Sequence, residues 1–205
     1  MIFTKKELIL FKKLNTPEKI QDFLNSIPFN FEKNGIDTIK SPLETLHKWN
    51  AHCFEGALLG AYILSLHGHK PLLLYLQSTK DTKNYDSDHV IAPFKENGYW
   101  GALSKTNHGI LRYREPIYKN IRELVMSYFH EYFLDDGTKT LRKYSDVLDL
   151  NKLKINWQNS EDDLWIIDRE LDKIKHYDIL PKKIKKLRKA DKVEIEMCKI
   201  TEYKN

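Results

Sequence analysis

The sequence predicts an α+β fold in which one buried apolar helix packs on an antiparallel sheet, with further helices at both ends. Three observations predict it. Residues 54–67, Phe-Glu-Gly-Ala-Leu-Leu-Gly-Ala-Tyr-Ile-Leu-Ser-Leu-His, are apolar on nearly every face, with Glu55 the only acidic or basic residue besides His67. A surface helix would show a single stripe, so this one is expected to be covered on most sides. Residues 71–76, Pro-Leu-Leu-Leu-Tyr-Leu, run apolar without a break, as a strand covered on both faces does. Asn97-Gly98 is the strongest short hairpin signal in the chain, and it joins a strand over 89–94 to one over 99–104.

The remaining elements follow in order. Thr4 and Glu7 have capping-box spacing ahead of Leu8, Ile9 and Phe11. Thr16 caps a second helix with Pro17 at its first position and a stripe of Ile20, Phe23 and Leu24. Ser41-Pro42-Leu43-Glu44 repeats that start signal, and residues 30–37, with Asn34-Gly35, read as a turn. Gly56 and Gly60 would let a sheet or helix approach the central helix closely, and Gly68 stands where a C-terminal cap belongs. A polar loop over 78–88 separates the first two strands. Beyond Arg112, Pro116 is expected to open a helix along Ile117, Ile121, Leu124, Val125, Tyr128 and Tyr132, closed by Asp135-Asp136-Gly137. The last third is more charged, with Trp157 and Trp165 as its anchors, a basic run over 182–192 and a strand-like stretch over 193–200.

Composition bounds the function. The chain has 205 residues, 41% hydrophobic and 31% charged, which excludes disorder by composition and leaves ample material for a core in one domain over 1–205. Two cysteines, Cys53 and Cys198, cannot form a disulfide framework, and no signal peptide or membrane span is read. A cytoplasmic protein without membrane partners is the expectation.

Cys53 begins the central helix, where unpaired N–H groups and the positive dipole end favour thiolate over thiol. His89 starts a strand of the sheet against which that helix packs, so the fold can bring imidazole to sulfur. Such a pair needs a separation of roughly 3 Å and a third polar group to hold the ring. Either residue alone is more often structural, a small buried hydrophobe or a core imidazole. The order is what favours chemistry: cysteine at a helix start, two strands, histidine on the second, then a hairpin.

In that order, and in Ala51-His52-Cys53-Phe54-Glu55-Gly56-Ala57, the Gly68-His69-Lys70-Pro71 lead-in to a strand, His89-Val90-Ile91-Ala92 and Gly98-Tyr99-Trp100, the chain resembles the transglutaminase-like superfamily of papain-fold cysteine enzymes. The resemblance covers residues 41–107, with helical extensions on either side. It implies a papain-like, transglutaminase-like core with Cys53 as nucleophile, His89 as base and acid, and Trp100 as the aromatic after the hairpin turn. The family's aspartate falls on Ser104, a departure, because serine orients imidazole without carrying a charge. Asn107, Asp86 and Asp88 are the other candidates for that position. Oxyanion stabilisation is expected from the Cys53 backbone N–H, with His47, Trp49 and Asn50 as candidate donors or cleft residues.

The reading is cysteine-dependent acyl transfer or hydrolysis on an amide, of the peptidase, deamidase or transglutaminase type, with a peptide or protein substrate and no cofactor. An inactive fold acting as a protein- or nucleic-acid-binding module is the alternative. Nucleic acid rests on the basic run Pro181–Lys189, which otherwise reads as a solvated helix face anchored by Ile184 and Leu187. His67-Gly68-His69 with His52, Asp86 and Asp88 matches no established ligand spacing, so no metal is expected. No phosphate-binding glycine loop, dinucleotide fingerprint or serine-hydrolase elbow is present.

Overall fold

The computed structural model describes residues 2–32, 35–79, 87–184 and 186–204. Part of the turn expected over 30–37 lies outside the described residues, as do Asp86, most of the polar loop over 78–88, and Lys185. The fold is mixed α+β. Three helices, α1 (Lys5–Lys13), α2 (Pro17–Ser26) and α3 (Pro42–Lys48), precede the central helix α4 (Cys53–Leu66). Then come β1 (Leu72–Ser78), β2 (His89–Glu96), β3 (Tyr99–Leu103), β4 (Arg114–Tyr118), α5 (Ile121–Met126), β5 (Leu141–Ser145), β6 (Leu148–Asp149), α6 (Trp165–Lys173), β7 (His176–Asp178) and α7 (Lys192–Cys198). The strands form one sheet in the order β4-β3-β2-β1-β5-β7, with β6 also on β1, and every pairing is antiparallel. Among the described residues no helix is long and apolar enough to cross a membrane.

Both faces of the sheet are covered, which is why β1 is apolar at successive positions. Leu73, Val90, Ala92, Phe94 and Leu103 pack with α4, Ile20 and Leu24 of α2, and the fully buried Trp157. Leu74, Leu76, Ile91 and Ala102 point the other way, onto Leu124, Val125 and Tyr128. Central helix α4 is nearly all interior, from Phe54 to Leu64. Its two glycines are the close approaches expected of them. A Cβ on Gly56 would lie 2.3 Å from Lys105 Cβ, and one on Gly60 would lie 2.9 Å from Leu103 Cδ1. The helix ends at Gly68, at φ +88°, whose N–H goes to the Ser65 carbonyl while the His69 N–H goes to that of Leu64. That pair of bonds is a Schellman cap. The hairpin is equally local: Asn97 and Gly98 both take positive φ, and Glu96 pairs with Tyr99, so the loop has the two-residue geometry that matches strand twist.

Three expectations are corrected. Pro116 lies inside β4 and does not open a helix; β4 is the outermost strand, where a residue without an N–H costs no interior bond. The helix starts later, capped by Asn120, whose side chain accepts the Glu123 N–H at 2.9 Å. Residues 193–200 are not a strand: α7 starts at an Asp191/Glu194 capping box, and that local signal outweighs the alternation of Val193, Ile195 and Met197. The described residues of the basic run form no helix before Lys192, and Arg188 and Lys189 pair with Asp191 and Asp136. Of the two tryptophan anchors, Trp157 is interior while Trp165 is 38% exposed.

Candidate active site

Cys53 is the first residue of α4, and its N–H is one of the four at a helix start that no helical carbonyl can take. Two imidazoles flank its thiol, His52 and His89, each close enough to interact with it. Burial by itself pushes the thiol up. Hydrogen bonding to His52 and His89 and their charge more than offset this, and hold the thiol well below its ordinary range. The residue nonetheless remains partly accessible, at the wall of a cavity of about 520 Å³ that also takes in His89, Asp88, Lys105, Asn107 and Cys198.

The strand register brings the second and third groups together. His89 is the first residue of β2 and Ser104 directly follows β3, and the pairing of Ala92 with Leu103 brings these two ends side by side. The ring of His89 is 6% exposed, and its Nε2 lies 2.8 Å from Ser104 Oγ. The Ser104 hydroxyl donates its proton to the Leu111 carbonyl. A hydroxyl has one proton, so Ser104 Oγ can only accept from His89. The imidazole therefore carries hydrogen on Nε2, which in the neutral ring leaves Nδ1 without one. The contact to Leu111 favours this tautomer without supplying the charge a carboxylate would.

Ser104 is itself held from a distance. The Gln21 amide clamps its backbone: Oε1 accepts the Ser104 N–H at 2.9 Å, and Nε2 donates to the Ser104 carbonyl at 2.8 Å. Nothing in the local sequence marks Gln21, which reads as one more polar residue of α2. Next to Ser104, Lys105 is completely buried. Its ammonium donates to the Ile27 carbonyl and lies 5.1 Å from the centre of the Tyr203 ring; among the described residues it has no ion pair. Burial pulls it down to about 8.

Glu55 organises the other flank. Fully buried, it accepts from Thr38 Oγ1 at 2.7 Å, Asn30 Nδ2 at 3.2 Å and the His52 N–H at 3.1 Å, and pairs with Lys40 at 2.7 Å. The carboxylate thus ties the 30–40 segment to the start of α4. Its signal was legible as the spacing of a capping box at residues 52 and 55, with histidine in the cap position.

The remaining candidates are placed elsewhere. His47 pairs with Glu7 at 2.9 Å. Trp49, the left-handed C-cap of α3, and Asn50 line a second cavity of about 450 Å³ with Phe29, Phe31 and Tyr203. Trp100 packs on the α5 side of the sheet, with Lys95 over its ring. Asn107 lines the cavity, but its amide is taken by the Tyr203 backbone, at 3.0 Å and 2.8 Å. Asp88 accepts from the Tyr75 hydroxyl and, at 2.7 Å, from the Ser78 N–H. His67 goes to the Phe11 carbonyl at 2.9 Å, and among the described residues no group of three or more His, Cys, Asp or Glu is placed to hold a metal.

No known family's sequence profile matches this chain, and no curated protein matches it. Among solved structures, Legionella pneumophila LapG and its EGTA-treated form each align at 20% identity with a TM-score of 0.37. The alignments cover 47% of this chain and 59% and 57% of the respective LapG chains, less than two thirds of either. The functional reading therefore rests on the site itself.

Proposed function

We propose that this chain is a cysteine-dependent acyl-transfer enzyme or hydrolase of the transglutaminase-like superfamily, acting on a peptide or protein amide. The observation that carries the reading is the Leu111–Ser104–His89 chain, which bares Nδ1 beside a thiol held well below its ordinary range. An inert core cysteine needs no such arrangement.

The proton of Cys53 passes to His89, and the thiolate attacks the amide carbon. A C–S bond forms as the carbonyl electrons move to oxygen, which the Cys53 N–H at the helix start is placed to receive. On collapse the C–N bond breaks and His89 returns the proton to the departing nitrogen. His89 then takes a proton from water, or from an amine, as that nucleophile adds to the thioester. Breaking the C–S bond regenerates the thiolate. The choice of acceptor decides between hydrolysis, deamidation and cross-linking.

The test uses the two cysteines as mutual controls, since both reach the same cavity. Cys53 is expected to react with iodoacetamide at neutral pH at least about tenfold faster than Cys198. A nitrophenyl acyl ester is expected to leave an acyl group on Cys53, seen by mass spectrometry, whose release to water is lost in His89→Ala. Equal alkylation of the two thiols, with no acyl adduct, would refute the proposal.

A further inference from the structure

His52 occupies a position that neither helix capping nor the triad accounts for in full. Its Nε2 lies 2.7 Å from the Thr38 carbonyl, which can only accept, so that nitrogen carries a proton. In the neutral ring Nδ1 is then an acceptor, and it caps α4 by taking the Phe54 N–H at 3.2 Å. The charges around the ring favour a second state. Glu32 lies 3.5 Å away on the preceding segment and Glu55 lies 3.6 Å away on α4, while Cys53 is the next residue. Against these stand Lys40, already paired with Glu55, and His89 across the thiol. Two carboxylates and a thiolate thus face one lysine and the cycling imidazole of β2. Adding a proton at Nδ1 gives up the Phe54 cap and places a positive charge beside the thiol.

We propose that His52 is the standing counter-ion of the Cys53 thiolate, an imidazolium that stays protonated through the cycle while His89 alone carries the transferred proton. This rests on the reading of Cys53 as nucleophile. Burial opposes the charged ring, but contact with Cys53, the Glu55 carboxylate and the Thr38 carbonyl raise His52 to about 9. The two imidazoles then divide the work. His89, oriented by Ser104, moves protons between thiol, leaving group and water. His52, wedged between two carboxylates and the sulfur, lowers the energy of the anion at all times. No proton is lost or gained at His52 in either half-reaction.

The experiment measures the pH dependence of Cys53 alkylation by iodoacetamide in wild type, His89→Ala and His52→Asn, with turnover of a thioester-forming acyl ester measured alongside. Asparagine is a favoured helix cap, so His52→Asn keeps the cap and removes only the charge. Wild type is expected to titrate well below a free thiol. His89→Ala is expected to abolish turnover yet retain a depressed alkylation midpoint. His52→Asn is expected to raise the midpoint by about one unit or more, slowing alkylation below that midpoint by about tenfold. Glu32→Gln, whose amide oxygen can still accept the Thr38 N–H seen at 3.0 Å, is expected to raise it by a smaller step, and serves if His52→Asn does not fold. A wild-type midpoint at the free-thiol value would overturn the nucleophile reading and this inference together. A depressed wild-type midpoint that survives His52→Asn and Glu32→Gln but vanishes in His89→Ala would overturn this inference alone.

Discussion

Replacing Ser104 with alanine tests whether a neutral hydroxyl serves where a carboxylate would be expected. The hydroxyl is 1% exposed and makes two bonds, accepting from His89 Nε2 at 2.8 Å and donating to the Leu111 carbonyl. Alanine strands both partners, unequally. Leu111 is half-buried, and its carbonyl can turn toward water, whereas the His89 ring is enclosed and its N–H is left without an acceptor. An unsatisfied buried donor costs about 1–3 kcal/mol, so the urea midpoint should fall by that much stability. The chemical effect is separate. One hydrogen bond of about 1–1.5 kcal/mol holds the ring with Nδ1 bare, so losing it should cut the productive fraction about five- to tenfold. Turnover of a nitrophenyl acyl ester should slow by that factor, with no further effect in a His89→Ala background. Ser104→Asp supplies an arm of opposite sign on the thiol. A carboxylate accepts from Nε2–H and favours imidazolium, lowering the apparent thiol midpoint, but it cannot donate to Leu111 and should destabilise the fold. If both variants are folded and both keep the wild-type turnover and alkylation midpoint, Ser104 does not orient His89 and the triad is wrong.

Two further outcomes follow from the packing beneath the site. Gly56→Ala drives a Cβ to 2.3 Å from Lys105 Cβ, which lies close to its backbone and cannot swing clear; a loss of about 3 kcal/mol or more is expected by urea denaturation. Lys105→Met should stabilise the protein at neutral pH, because the buried ammonium has no carboxylate partner among the described residues. The lysine is held at about 8 when folded, so between there and its unfolded value the unfolded chain binds the extra proton and wild-type stability rises with pH. The pH-dependent part of methionine's advantage, on the order of 3 kcal/mol at neutral pH, should shrink across that window and level off above about pH 10.5. A gap that does not change with pH would refute the assignment.

Much of this molecule is written locally. The cap residues Thr4, Thr16 and Ser41, the Asn97-Gly98 turn and the Gly68 stop each act within a few residues, so spacing alone locates them. Where two local signals compete, sequence misleads: Pro116 looked like a helix start, but Asn120 four residues on had the better cap, and the proline fitted an outer strand. The same holds at residues 193–197, where alternation suggested a strand and a capping box made a helix.

By itself the sequence determined the apolar helix with a cysteine at its first position, a sheet buried on both faces, and a histidine one strand away from a tight hairpin. Those follow from periodicity and turn chemistry, which need no distant partner. Only the tertiary structure decided what the histidine touches. The register of β2 on β3 turned Ser104 toward His89, a carbonyl at Leu111 committed the hydroxyl proton, and Gln21, 83 residues away in the chain, fixed the Ser104 backbone. It likewise decided that Asn107 would bond to Tyr203 and that His52 would lie between Glu32, Glu55 and the thiol. Hydrogen bonds of this kind depend on distances of a few tenths of an ångström between segments remote in sequence, and residue spacing along the chain carries no record of them.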